Sequence, residues 1–163
     1  QDYYLYAGRL ISHKRVDIVI QACNRLKRRL IVAGDGLERS ALEKLAGETV
    51  TFTGRVSDAE LKRLYANCRA LIFPSNEDFG IVPVEAQAAG RPVIAYRAGG
   101  ALETVVESET GLFFNEQTVD SLCEAMLGFE QASFDPLKIR QNAMRFDESH
   151  FSEKMRALVD HFE

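Results

Sequence analysis

Four charged side chains stand where loops should leave strands: Arg9 and Lys14 after one apolar run, Glu77 and Glu85 around another. In Gly8-Arg9-Leu10-Ile11-Ser12-His13-Lys14 the two cations are five positions apart. Arginine offers a planar, bidentate fork and lysine a compact point charge, so together they can neutralise a diphosphate as it becomes a leaving group. On spacing alone, a solvated basic loop accounts for the pair equally well. His13 could donate to the same anion, although a lone loop histidine is more often solvated.

The second block, Glu77-Asp78-Phe79-Gly80-Ile81-Val82-Pro83-Val84-Glu85, separates two carboxylates by seven residues. If a helix starts near Gly80, its free N–H groups and positive dipole end make an anion site. Glu77 then lies in the loop and Glu85 one turn inside the helix. Ionised carboxylates accept hydrogen bonds from vicinal diols, so one could hold sugar hydroxyls and the other a ribose. Two surface glutamates near a helix start, where the dipole favours them, are the plainer alternative.

These residues need a scaffold, and the pattern predicts one. Apolar runs at Tyr3–Ala7, Arg29–Ala33, Val50–Thr53, Ala70–Phe73, Val93–Tyr96 and Leu112–Phe114 alternate with helical periodicities. Several runs are continuously apolar, as strands buried on both faces require. The expectation is an α/β, Rossmann-like, three-layer domain with a parallel sheet of about six strands. Val16, Val19, Ile20, Cys23 and Leu26 mark one amphipathic helix; Leu61, Leu64, Tyr65 and Cys68 mark another, opened by a capping box at Ser57 and Glu60. After Phe114 the pattern turns helical: 118–129, a helix capped by Asp135 with Pro136 first, then 152–162, where Phe151, Met155, Leu158, Val159 and Phe162 share a face. Ligands of such sheets bind beyond the carboxyl ends of the strands, among Gly8–Lys14, Gly34–Gly36, Gly54–Ser57, Pro74–Gly80 and Arg97–Gly100.

At 163 residues the chain fits one domain, 1–163, with a core over about 3–130 and C-terminal helices over about 131–163. A net charge of −4 gives no positive field for counterion release, so nucleic acid is not expected as a partner. Cys23, Cys68 and Cys123 are odd in number, without a C-x-x-C pair, which fits reduced thiols in a cytoplasmic setting better than disulfides or zinc. No apolar run approaches the roughly 20 residues that span a bilayer. The basic run Arg25, Lys27, Arg28 and Arg29 reads as a solvated helix end, and His150 and His161 as structural.

Taken together, Gly8-Arg9-Leu10 with Lys14, Gly34-Asp35-Gly36, Gly54-Arg55-Val56, Pro74-Ser75, the Glu77-to-Glu85 block, Gly90-x-Pro92-Val93, Gly99-Gly100 and Thr110-Gly111 resemble the C-terminal half of retaining, GT-B-fold family 4 glycosyltransferases. The elements occur in the right order over about residues 3–130. The resemblance implies that Arg9 and Lys14 hold the donor diphosphate, with backbone N–H groups of Gly80, Ile81 and Val82. Glu77, the residue it implies to be catalytic, would contact the sugar with Phe79 and Gly80; Glu85 would hold the ribose, and Arg55 and Val56 the base.

The same resemblance implies a UDP- or GDP-hexose donor and front-face transfer with retention to a saccharide or lipid-linked acceptor. It also implies a partner N-terminal acceptor domain missing here, through which any membrane association would be made, so this domain alone should bind donor without full turnover. No cofactor or metal is implied: there is no Asp-x-Asp, and Arg9 and Lys14 take the metal's place. The phrase from Glu77 to Ala98 looks most like mannosyltransferase-like enzymes of polysaccharide synthesis, although Pro83 stands where many relatives have leucine. A dinucleotide-dependent oxidoreductase lacks its G-x-G-x-x-G, and a P-loop NTPase its G-x-x-x-x-G-K-[ST]. A nucleotide-sugar epimerase of the same architecture is the alternative enzyme.

Overall fold

The computed structural model describes residues 2–147. Their order is β1 (Tyr3–Ala7), a 3₁₀ turn (Ser12–Lys14), α1 (Val16–Leu26), β2 (Arg29–Ala33), α2 (Arg39–Leu45), β3 (Val50–Gly54), α3 (Asp58–Asn67), β4 (Leu71–Phe73), α4 (Ile81–Ala88), β5 (Val93–Tyr96), α5 (Ala101–Thr104), β6 (Gly111–Phe114), α6 (Val119–Gln131) and α7 (Pro136–Met144). The expected helix at 152–162, together with His150 and His161, lies outside the described residues. Among those described, no helix is long and apolar enough to cross a membrane.

All strand pairs are parallel, and the sheet order is β3-β2-β1-β4-β5-β6. The chain winds outward from β1 to β3 and then returns to pair β4 against the other side of β1. Alternate side chains of each strand serve opposite faces. Tyr4, Tyr6, Leu30, Val32, Ile72 and Ile94 pack with α1 and α6 on one face. Leu5, Ala7, Leu71, Phe73, Val93 and Ala95 pack with α3, α4 and α5 on the other. The apolar runs are continuous because each strand is covered twice, and the three-layer architecture expected from the sequence is borne out.

Local chemistry fixes the helix boundaries. The Ser57 side chain accepts from the Glu60 backbone N–H at 3.2 Å, Thr118 from Ser121 at 3.2 Å and Asp135 from Leu137 at 2.9 Å, with Pro136 opening α7. The basic run at the end of α1 is exposed at Arg25, Lys27 and Arg29, as its sequence suggests, yet two of its members form ion pairs with α6. Arg28 makes a two-pronged pair with Glu130 at 2.7 and 2.9 Å, tying the end of α1 to the end of α6, and Arg25 reaches Asp120 at 2.5 Å.

Candidate active site at the switch between two strands

Because β2 and β4 flank β1 on opposite sides, the loops that follow β1 and β4 leave the sheet in divergent directions and open a crevice between them. The loop after β1 is held from several sides. The buried Tyr6 hydroxyl donates to the Arg9 carbonyl at 2.9 Å, and Leu10, wholly buried, exchanges backbone bonds with Asp35 and Glu38 at 3.0 and 2.9 Å. Gly34 must be glycine here: its φ is +138°, and a Cβ would lie 1.8 Å from the Gly8 carbonyl oxygen. Arg15, in the left-handed region at φ 54°, turns the chain from the 3₁₀ turn into α1. Lys14, just before that bend, directs its ammonium across the crevice to the Glu77 carboxylate, with which it forms an ion pair.

Glu77 is positioned with equal care. The hydroxyl of buried Ser75 donates to the carboxylate at 2.8 Å, and the Gly100 N–H donates to the Glu77 carbonyl at 2.6 Å. That last bond needs Gly99 at φ +58°, where a Cβ would sit 2.3 Å from the same carbonyl oxygen. Gln117 donates to the Pro74 carbonyl at 2.8 Å, tying the start of the loop to the segment after β6. The Tyr6 hydroxyl is pushed above its ordinary titration range, first by burial and then by the negative charge of Glu77.

Three residues beyond Glu77, Gly80 caps α4 without a side-chain hydrogen bond. The opening N–H groups of a helix have no intrahelical partner, so this end presents a partial positive charge. Pro83 falls in the first turn, where it has no N–H to orphan, so the proline that departs from many relatives is compatible with the helix start. Farther along α4, Glu85 accepts a hydrogen bond from the Tyr65 hydroxyl of α3 at 2.8 Å. Glu85, Arg9, Arg55, Val56 and Val82 line one cleft of about 430 Å³ over the ends of β1 to β3.

The structure therefore brings together residues far apart in sequence, in two adjoining groups. Lys14 and Glu77 form one, and the cleft with Arg9, Glu85, Arg55 and Val56 forms the other, with the start of α4 between. Arg9 has no ion pair among the described residues and is exposed, whereas Lys14 is partly buried on Glu77. Lys14 thus pairs with the loop before α4, whereas Arg9 lines the cleft with Val82 and Glu85 of that helix. Phe79 lies outside the cleft lining, half exposed, with its ring 6.2 Å from that of Phe146 after α7. Ile81 turns its side chain outward, 61% exposed. His13 is exposed in the 3₁₀ turn.

Sequence reasoning gave no site role to Tyr6, Ser75, Tyr65 or Gln117, although Ser75 stands in one of the motifs that carry the resemblance. The two tyrosines read as core because their rings are core. The usable signal was the hydroxyl, since a buried tyrosine normally finds a polar partner.

Residues 1–146 match the family described as "Glycosyl transferases group 1". The chain belongs to that family. It is 36% identical over 137 residues to the GDP-mannose-dependent alpha-(1-6)-phosphatidylinositol monomannoside mannosyltransferase of Mycobacterium tuberculosis, covering 73% of this chain and 36% of that protein. The group 1 domain superposes on sucrose-phosphate synthase from Thermosynechococcus elongatus with a TM-score of 0.85 and 28% identity, over 98% of this chain and 45% of that one. Anabaena HepE in complex with UDP and glucose gives a TM-score of 0.66 and 25% identity over 89% of this chain and 47% of that one. This sequence thus spans about a third of the curated relative and under half of either solved chain. The GT-B architecture expected from the sequence is borne out for this domain.

Proposed function

We propose that this group 1 domain binds a nucleotide-diphosphate sugar, a UDP- or GDP-hexose, and presents it for retaining transfer to a saccharide or lipid-linked acceptor. The observation that carries the reading is the placement of Lys14 on Glu77, just before the open start of α4, and of Arg9 in the adjoining cleft with Val82 from the first turn of that helix. Two cations and a helix dipole suit a diphosphate whose charge grows as the sugar leaves, and groups fixed before the reaction need no reorganisation during it. In this reading Arg9, Lys14 and the backbone of Gly80, Ile81 and Val82 hold the diphosphate, and no metal is required. Glu85 holds the ribose diol, and Arg55 and Val56 border the base.

Glu77 takes the catalytic position, at the sugar with Phe79 and Gly80. Its partner Lys14 holds it by an ion pair beside the anomeric centre, and the departing diphosphate itself accepts the acceptor's proton on the front face. The mycobacterial relative is named for GDP-mannose and HepE was solved with UDP and glucose, which supports a nucleotide-sugar donor while favouring neither base. The acceptor side belongs to a partner N-terminal domain across the cleft, so the domain alone binds donor without full turnover. The setting is cytoplasmic, in polysaccharide or glycolipid synthesis, with any membrane association made by the partner domain.

Calorimetric titration of the chain with UDP, GDP and their hexose conjugates tests this. Saturable binding of at least one nucleotide, weakened by Lys14→Ala, is the expected result; no binding of any overturns the proposal.

A further inference from the structure

We propose that Tyr65 is a positioning residue that aims Glu85 into the donor cleft and so sets the preference for a ribose diol. This inference rests on the donor-binding reading above. Glu85 is an exposed side chain with open space on both sides: the cleft of about 430 Å³ on one, and on the other a groove of about 480 Å³ between α3 and α4, lined by Lys62, Ala88 and Ala89. Leu61, Tyr65 and Glu85 are the shared wall of the two cavities. Packing therefore does not choose the direction of the carboxylate, because alanines across the groove leave room for it to swing away. No ion pair among the described residues chooses it either.

What remains is the bond from the Tyr65 hydroxyl to Glu85 Oε2 at 2.8 Å. Tyr65 is itself anchored, 3% exposed in the core between α3 and α4, so its hydroxyl is a fixed point. Burial, reinforced by the adjacent carboxylate charge, pushes its titration well above the ordinary tyrosine range, so the proton stays on the donor at any working pH. With Oε2 committed to a neutral donor, Oε1 is the acceptor presented to a ligand. Glu77 is different: it is held by a cation. One carboxylate is paired with the Lys14 ammonium, whereas the other has no ion pair among the described residues and accepts from a hydroxyl.

The full chain is titrated with UDP and GDP and with their 2′,3′-dideoxy counterparts. Wild type should favour the ribose forms. Tyr65→Phe, which keeps the ring, should weaken them about tenfold, as expected for one lost hydrogen bond to a charged group, while leaving the dideoxy affinities unchanged. In a Glu85→Ala background the same substitution should have no further effect on the ribose-to-dideoxy ratio. A second variant keeps the test independent of how Tyr65→Phe folds. In Glu85→Gln only the carboxamide oxygen can accept from Tyr65, so the amino group should face the cleft, where it can donate to a ribose oxygen but accept from neither hydroxyl, and the diol preference should fall below that of wild type. Retention of the full wild-type preference by Tyr65→Phe or by Glu85→Gln overturns the assignment, as does wild-type affinity that ignores the diol. If wild type binds no nucleoside diphosphate at all, the donor-binding reading fails first and this one with it.

Discussion

The Lys14 ammonium and the Glu77 carboxylate meet across the gap between β1 and β4, so a cation assigned to phosphate and a carboxylate assigned to sugar neutralise each other before any donor arrives. A diphosphate entering this crevice competes with Glu77 for Lys14. Two substitutions should consequently move nucleotide affinity in opposite directions. Lys14→Ala should weaken UDP or GDP roughly 10- to 100-fold, the value of a charge-assisted hydrogen bond, with nucleoside binding unchanged. Glu77→Gln should strengthen the same diphosphates severalfold by freeing the ammonium and removing a like charge, yet abolish transfer when the complete enzyme is assayed. Calorimetry with nucleoside and nucleoside diphosphate separates the two; equal losses for both ligands in Lys14→Ala would refute the phosphate assignment.

Gly34 and Gly8 approach so closely that the loops after β1 and β2 form one unit under Arg9. Gly34→Ala adds a Cβ 1.8 Å from a backbone oxygen at φ +138°, so the loop must move. The positive φ alone costs on the order of 1–3 kcal/mol, and the collision adds to it. The variant should melt several degrees lower, and any folded fraction should bind nucleotide more weakly because Arg9 shifts with the loop. An unchanged melting temperature and affinity would show that the junction is not tight.

Much of this was legible in the sequence, for identifiable reasons. Strands such as Leu71–Phe73 and Val93–Tyr96 announce themselves because burial on both faces leaves no room for polar residues. α2 and α5 were silent: α2 buries Leu42 alone, and α5 is a single four-residue turn. The site loops were visible through glycines and charges, yet the pairing of Lys14 with Glu77 was not. It depends on β4 lying beside β1, and strand order is a long-range choice that no local pattern encodes. The role of Tyr65 was hidden differently, since its place in an apolar stripe explained the ring and drew attention from the hydroxyl.

Glu130 gathers Arg28, Arg69 and the Tyr4 hydroxyl at the opposite end of the domain from the crevice. The hydrogen bonds from Arg28 hold its carboxyl below the usual range, against the opposing effect of burial. A lowered folded value contributes stability that is complete above the ordinary carboxylate range and is lost as pH falls through the folded value. Because Arg28 remains about a third exposed, solvent screens the pair and the contribution stays near 1 kcal/mol. Glu130→Gln should therefore lower the melting temperature by about 2–4 °C at pH 7. That difference should shrink below about pH 4 as the wild-type carboxylate protonates. A gap that widens on acidification would contradict the sign.

The three cysteines lie in the two helical layers, Cys23 and Cys123 with α1 and α6 and Cys68 at the end of α3. Burial pushes the thiols of Cys23 and Cys68 up to about 12, and that of Cys123 up as well, with Arg25 drawing it partly back. The thiolate is the nucleophile, so at pH 8 the native chain should alkylate far more slowly than a free thiol, at a rate set by opening of the fold. Cys123, 6% exposed where the other two are fully covered, should label first as mild denaturant is added. Mass spectrometry after timed exposure to iodoacetamide reads both the rate and the order. Labelling of Cys23 or Cys68 in native buffer at the rate of a free thiol would mean that the helices carrying them do not close over the sheet as described.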